Sequence, residues 1–299
     1  MRIVTLATVT TEFLDRPGYA VKTRHSYEVT LLPLLAQYGS TPIELLTRPT
    51  LEDYLNSLTH LAYTTHRRHQ AIVQSLLNFA VERGYLKANP LTHLKQRKPD
   101  SSKGEHNRDE IIRYLTPKQL QQLYGAVRAD ARMNALVHLL HRSGARIAEI
   151  LALDLVEVDL EQCKFRVIGK GNKQRWCFYS PDAAKSLANY LHYYRHSHHP
   201  ALFTAQQPYS GTVSRLSYAT VYKDWKRLTQ PCPHLSDIRI HDLRHTFATE
   251  RVGLMGIEEL RALMGHEHIQ TTLRYQKVTS ARAEIVAKQA LTQLIDSTS

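Results

Sequence analysis

The sequence predicts a mainly α-helical protein with one small antiparallel β-meander, divided into two domains. Three observations carry that expectation. Apolar residues recur at helical spacing over most of the chain, and the period changes to two only between Val156 and Tyr179. Residues 95–110, Lys-Gln-Arg-Lys-Pro-Asp-Ser-Ser-Lys-Gly-Glu-His-Asn-Arg-Asp-Glu, contain no apolar side chain. Such a stretch cannot join a core, so it reads as a linker at 96–111 between a helical domain at 1–95 and a larger domain at 112–299.

In the first domain, Thr64 to Arg83 brings Ile72, Leu76, Phe79 and Ala80 to one face and stops at Gly84, a natural residue past a helix end. Segments near 23–38 and 50–60 also read as helices, with Pro33 a point of kinking or breakage in the first. In the second domain, Thr116-Pro117 is an N-cap followed by proline at the first helical position, opening a helix to about Val127. A leucine-rich helix follows at about 131–142 and ends at Ser143-Gly144. Val156/Val158, Phe165/Val167 and Trp176/Phe178 mark three short strands, the last two joined around Gly169-Lys170-Gly171-Asn172. Further helices are expected at about 182–196, 214–229, 241–254, 257–264, 268–276 and 280–295.

The 299 residues carry a formal charge of +12, unevenly spread. Residues 1–111 hold 14 Lys and Arg against 11 Asp and Glu, and residues 112–299 hold 25 against 16. A basic excess favours a polyanion, because each neutralised phosphate of nucleic acid releases condensed counterions. Cys163, Cys177 and Cys232 are odd in number and form no CxxC pair, which argues against a disulfide framework and against a cysteine zinc site. No apolar run approaches the roughly 18 residues of a membrane span, and the N-terminus lacks a long apolar leader core. A soluble protein of the reducing cytoplasm is the expectation.

The chemistry concentrates near the C-terminus. His241 and Arg244 stand three apart in His241-Asp242-Leu243-Arg244-His245, so on a helix an imidazole and a guanidinium can grip one anionic group. His245 lies one step round and is expected not to share it. Arg146 follows Gly144 at the start of a helix, where a phosphate meets backbone N–H groups as well; Glu149, three residues on, is an alternative partner. Lys170, in a glycine-rich turn, is a proton source for a leaving alkoxide or, alternatively, a solvated hairpin tip on a DNA backbone. Tyr275 follows His266 by nine residues, between Arg274 and Lys277, beside any phosphate held there. A phenol suits a reversible attack, since an aryl phosphodiester stays reactive toward a sugar hydroxyl.

Gly144-Ala145-Arg146, Gly169-Lys170-Gly171-Asn172-Lys173, His241-x-Leu243-Arg244-His245, Leu263-x-Gly265-His266 and Tyr275, in that order and rough spacing, resemble the tyrosine recombinases or phage integrase family, most closely its Xer-like and transposon-type members. The resemblance runs from residue 112 to the end, and the first domain resembles the family's helical core-binding domain. Ala145, where leucine is common, and the stretch 231–240 depart mildly from the pattern. With the first domain beginning almost at residue 1, the extra arm-site-binding domain of some phage integrases is expected to be absent.

The resemblance implies that Tyr275 attacks the scissile phosphate, leaving a 3′-phosphotyrosyl link and a free 5′-hydroxyl. Arg146 and Arg244 would clamp the nonbridging oxygens, Lys170 would protonate the departing oxygen, His241 would assist proton transfer at the nucleophile, and His266 would donate a hydrogen bond to the phosphate. Neither ATP nor metal is required, because the covalent link conserves the bond energy. Implied partners are double-stranded DNA with paired inverted repeats and further copies of the chain, a dimer on a site and a tetramer in the synapse. A partner recombinase or accessory factor is a further option. Strands would be exchanged through a four-way Holliday junction. The alternatives are a DNA-binding accessory factor of the same fold and an enzyme that cleaves and religates without exchange.

Further candidate DNA contacts are Arg67 and Arg68, which open the best helix of the first domain, Lys173 in the basic turn, and Lys223, Lys226 and Arg227 around Trp225. The last three equally suit an ordinary amphipathic helix. His196, His198 and His199 read as a solvated helix end and not as a metal site, since they lack Cys or acidic partners at ligand spacing. The amphipathic tail, with Ile285, Ala287, Ala290, Leu291 and Leu294, either packs on its own domain or docks on a neighbour.

Overall fold

Helical periodicity in the N-terminal third becomes four α-helices in the computed structural model, which describes residues 3–105, 112–169 and 174–278. The chain divides into two compact units, Met1–Ile111 and Ile112–Ser299. In the first, α1 (Leu6–Leu14) and α3 (Arg48–Ser57) are capped by the hydroxyls of Thr5 and Thr47, while α2 (Val21–Tyr38) and α4 (Tyr63–Glu82) supply the long walls. Helix α1 was not anticipated, because Thr8, Val9, Thr10 and Thr11 are β-branched and mask its periodicity. Pro33 neither ends nor splits α2. It lies on the exposed side, as does Val29, whose freed carbonyl can turn to water. Leu6, Val9, Phe13, Leu31, Leu51 and Leu76 are fully buried between the helices, with the Phe13 ring stacked on Tyr27 at 5.7 Å.

Residues 95–105 are held on this unit by polar bonds, as their composition demands. Arg97 pairs with Glu105 at 2.7 Å, both side chains largely buried, and Glu105 also accepts the N–H groups of Tyr63 and Asp100. Residues 106–111, the rest of the expected linker, lie outside the described residues.

The second unit is organised around α6 (Ala131–Ser143), in which Met133, Ala135, Leu136, Val137 and Leu139 are fully buried. Helices α5 (Pro117–Val127), α8 (Pro181–Tyr193), α9 (Tyr218–Thr229) and α10 (Asp242–Arg251) pack against it. Thr116 and Gln119 close a capping box at the start of α5. The short α7 (Ile147–Ala152) leads into β1 (Val158–Asp159), β2 (Lys164–Ile168) and β3 (Gln174–Phe178), an antiparallel sheet in that order.

Register decides which strand residues face inward. Phe165 pairs with Cys177 and both are buried, whereas Arg166 pairs with Trp176 on the outer face. Trp176 and Phe178 are therefore exposed although they are the larger apolar residues of β3. A second hairpin, β4 (Thr204–Gln206) with β5 (Val213–Arg215), was not anticipated. Beta5 takes the start of the helix expected at 214–229, and α9 begins only after the Ser217 cap. Past α11 (Ile257–Met264), the helix expected at 268–276 divides into α12 (Ile269–Leu273) and a 3-10 turn, Arg274–Val278. The turn at 170–173 and the expected helix at 280–295 lie outside the described residues. Among the described residues no helix is long and apolar enough to cross a membrane.

Candidate active site

Helix α11 ends at Gly265, which adopts φ +60, and the last carbonyls of an α-helix have no partner within it. Three guanidinium groups from three other elements take them in succession. Arg175 of β3 donates Nε–H to Leu263 O at 3.0 Å, Arg244 of α10 donates to Met264 O, and Arg146 at the start of α7 donates to Gly265 O at 3.3 Å. The helix terminus carries partial negative charge, so it gathers cations that would otherwise repel one another.

Each arginine has a further anchor. Arg244, 3% exposed, donates to Gly144 O at 2.5 Å, and Gly144 itself sits at φ +63 at the end of α6. Burial, and then the charge of Arg146, draws the Arg244 pKa down to about 10, which leaves it cationic at neutral pH. Glu149 joins the other two: its carboxylate accepts two bonds from Arg175, at 2.9 and 2.7 Å, one from Arg146 Nη1 at 2.9 Å and one from the Arg146 backbone N–H at 2.7 Å. Burial opposes ionisation of this carboxyl, yet these bonds and charges bring its pKa down to about 2. The pair between Arg146 and Glu149 thus forms, and it orients the arginine, whose side chain stays 39% exposed.

Tyr275, in the 3-10 turn, is 3% exposed and packs with Phe247, Ala248, Val252, Leu260 and Met264. Its hydroxyl is bonded to Nδ1 of His245 at 2.8 Å, a contact the sequence did not point to. Burial pushes the phenol pKa up, and the charges of Arg244, Arg274 and Arg146 oppose it. The His266 ring lies parallel to the Tyr275 ring at 6.3 Å, and its Nδ1 is bonded to Thr272 Oγ1 at 2.9 Å. Burial, then Arg244, lowers the His266 pKa to about 3. His241 is exposed at the start of α10, edge-on to the His245 ring at 4.8 Å.

Arg146, Arg244, His241, His266 and Tyr275 are therefore neighbours, and Lys170 lies outside the described residues, as does Lys173. Sequence reasoning missed Arg175, whose only signal was an arginine at a partly buried strand position, and the bridging part of Glu149. Of the candidate DNA contacts, Arg68 donates to Ser26 O, Arg67 lies over the Tyr63 ring, Lys226 donates to Ser236 O, Arg227 pairs with Asp130 and Asp224, and Lys223 is exposed. In the histidine patch, His196 Nδ1 is bonded to Thr204 Oγ1 and His199 Nδ1 accepts the Ala201 N–H, so these two rings fasten the loop after α8.

The model of the phage integrase family matches residues 113–282. Tyrosine recombinase XerC of Lactobacillus delbrueckii subsp. bulgaricus is 27% identical over 253 residues, covering 82% of this chain and 82% of that protein. XerC of Vibrio cholerae serotype O1 is 31% identical over 208 residues, covering 68% of this chain and 63% of that protein. Among solved structures, the Tn1549 transposon integrase in complex with a circular intermediate DNA shares the fold with a TM-score of 0.75 at 18% identity, over 95% of this chain and 99% of that one. A lambda integrase dimer bound to a COC′ core site gives 0.70 at 14% identity, over 90% and 97%. The class is that of the tyrosine-type site-specific recombinases. This chain belongs to the phage integrase family.

Proposed function

We propose that this chain exchanges strands between two DNA sites with Tyr275 as the nucleophile. The carrying observation is one hydroxyl, on a buried side chain, beside guanidinium groups gathered on a single helix end. Tyr275 attacks the scissile phosphorus, and Arg146 and Arg244 take the nonbridging oxygens, opposing the charge that grows on the phosphorane. Their anchoring to carbonyls is fixed before DNA arrives, so little reorganisation is needed in the transition state. His266 donates to the phosphate, exposed His241 assists from the open side of α10, and Lys170 protonates the departing 5′ oxygen. The link conserves the phosphodiester energy, so the step reverses when a 5′-hydroxyl attacks.

The partner is duplex DNA carrying inverted repeats, with a dimer on one site and a tetramer joining two through a Holliday junction. The family resemblance and the charge of +12 support that reading. The protein works in the cytoplasm. Incubation with a nicked duplex that loses a short fragment on cleavage tests the chemistry. A covalent adduct should form with the natural chain and vanish in Tyr275→Phe; an adduct that persists in that variant removes the proposal.

A further inference from the structure

Three histidines lie around Tyr275, and geometry separates what each can do. The His266 ring lies parallel to the tyrosine ring with its Nδ1 bonded to Thr272, and the tyrosine hydroxyl is bonded to His245 instead. His241 meets the His245 ring edge-on at 4.8 Å. His245 points a ring nitrogen straight at the reacting oxygen, at 2.8 Å, inside the window a proton transfer requires. Its ring lies 5.8 Å from that of Tyr275 and is flanked by His241 at 4.8 Å, so neighbours on two sides restrict its rotation.

We propose that His245 is the general base that takes the Tyr275 proton directly, with His241 assisting only through the His245 ring it meets edge-on. The inference rests on the reading of Tyr275 as the nucleophile. In the tautomer that carries its proton on Nε2, Nδ1 accepts the phenol O–H. The O–H bond breaks and its proton passes to Nδ1, while the phenolate oxygen forms the bond to phosphorus. The bond from phosphorus to the 5′ oxygen breaks, and that oxygen takes a proton from Lys170. On rejoining, the imidazolium returns its proton to the departing phenolate. Burial, then His241, keeps the His245 pKa at about 4, so the ring is unprotonated and able to accept at neutral pH. Charge developing on the adjacent phosphorane favours the imidazolium as the proton arrives.

The test compares the natural chain, His245→Ala and His245→Asn in the nicked-duplex assay, after a gel shift shows that each binds the duplex. Asparagine puts an amide oxygen near the Nδ1 position, so it keeps the hydrogen bond without the basicity. Both variants should form adduct about 100-fold more slowly, the usual size of a general-base contribution. Difluorotyrosine at position 275 ionises without help, and it should recover most of the His245→Asn loss. A 5′-bridging sulfur at the scissile position, which makes leaving-group protonation unnecessary, should recover none of it. Full activity of His245→Asn, or a loss that difluorotyrosine leaves unchanged, overturns the assignment; so does rescue by the bridging sulfur. Failure of the nucleophile reading is distinct, because the natural chain would then form no adduct or Tyr275→Phe would still form one.

Discussion

Arg244 shows at the scale of one residue how the site is set. A lysine there carries its three donors on one nitrogen, and cannot span Gly144 O and Met264 O as Nη1 and Nη2 of arginine do while also reaching a phosphate. Arg244→Lys should therefore slow adduct formation by about 100- to 1,000-fold, the range seen when one transition-state donor is removed. Arg175 acts one step back, through Glu149. Arg175→Lys loses the two-pronged grip on that carboxylate and frees Arg146 to wander, costing about tenfold or more in adduct rate, the worth of a hydrogen bond to a charged group. Glu149 also predicts an acid limit. Its folded pKa of about 2 lies below the ordinary 4.5, so its stabilisation is complete above pH 4.5 and is lost as pH falls toward 2. The integrated contribution is about 3 kcal/mol. Glu149→Gln should flatten the decline of denaturant midpoint across that interval; an unchanged decline would contradict it. His245 and His266, with pKa values of about 4 and 3, add an earlier and larger loss that starts as pH drops below 6.5, where the unfolded chain takes up protons that the folded rings refuse.

Elements hold these residues through their ends. Gly144 closes α6 at φ +63, and a Cβ there would lie 2.4 Å from Cδ1 of Phe247. Gly144→Ala should cost about 2–5 kcal/mol, combining a left-handed non-glycine residue with an overpacked contact. Gly211, at φ +66 with only a Gln206 side chain 3.7 Å away, should cost about 1 kcal/mol for the same change. Comparing the two in denaturant unfolding separates collision from backbone conformation. What the sequence made legible follows the same division. Long periodic helices with caps, such as α4, α5 and α6, were readable to within a residue or two, because local signals and burial agree. The three-residue strands β4 and β5 were not, since Thr-Ala-Gln and Val-Ser-Arg show no alternation of apolar and polar residues. The outward turn of Trp176 and Phe178 is set by pairing to β2, which neither residue encodes alone. In the site, arginines and histidines in recurring motifs stood out, whereas Arg175 and the bond from His245 to Tyr275 depend on elements meeting from afar.

At the scale of the whole chain, charge is the property that reaches beyond the fold. Residues 112–299 carry most of the excess, 25 Lys and Arg against 16 Asp and Glu. Binding to a duplex of arbitrary sequence should weaken about a thousandfold between roughly 50 and 200 mM salt, as expected for about six neutralised phosphates. Fluorescence anisotropy would give that slope, and Tyr275→Phe should leave it unchanged, since the phenol neutralises nothing. A flat salt response would mean that the basic surface does not meet the backbone. The central claim is the covalent bond between one side chain and a broken strand. It is tested most directly by digesting the trapped protein–DNA adduct and sequencing the modified peptide by mass spectrometry. The account predicts a nucleotide joined through its 3′-phosphate to Tyr275; a nucleotide on any other residue, or none, would contradict it.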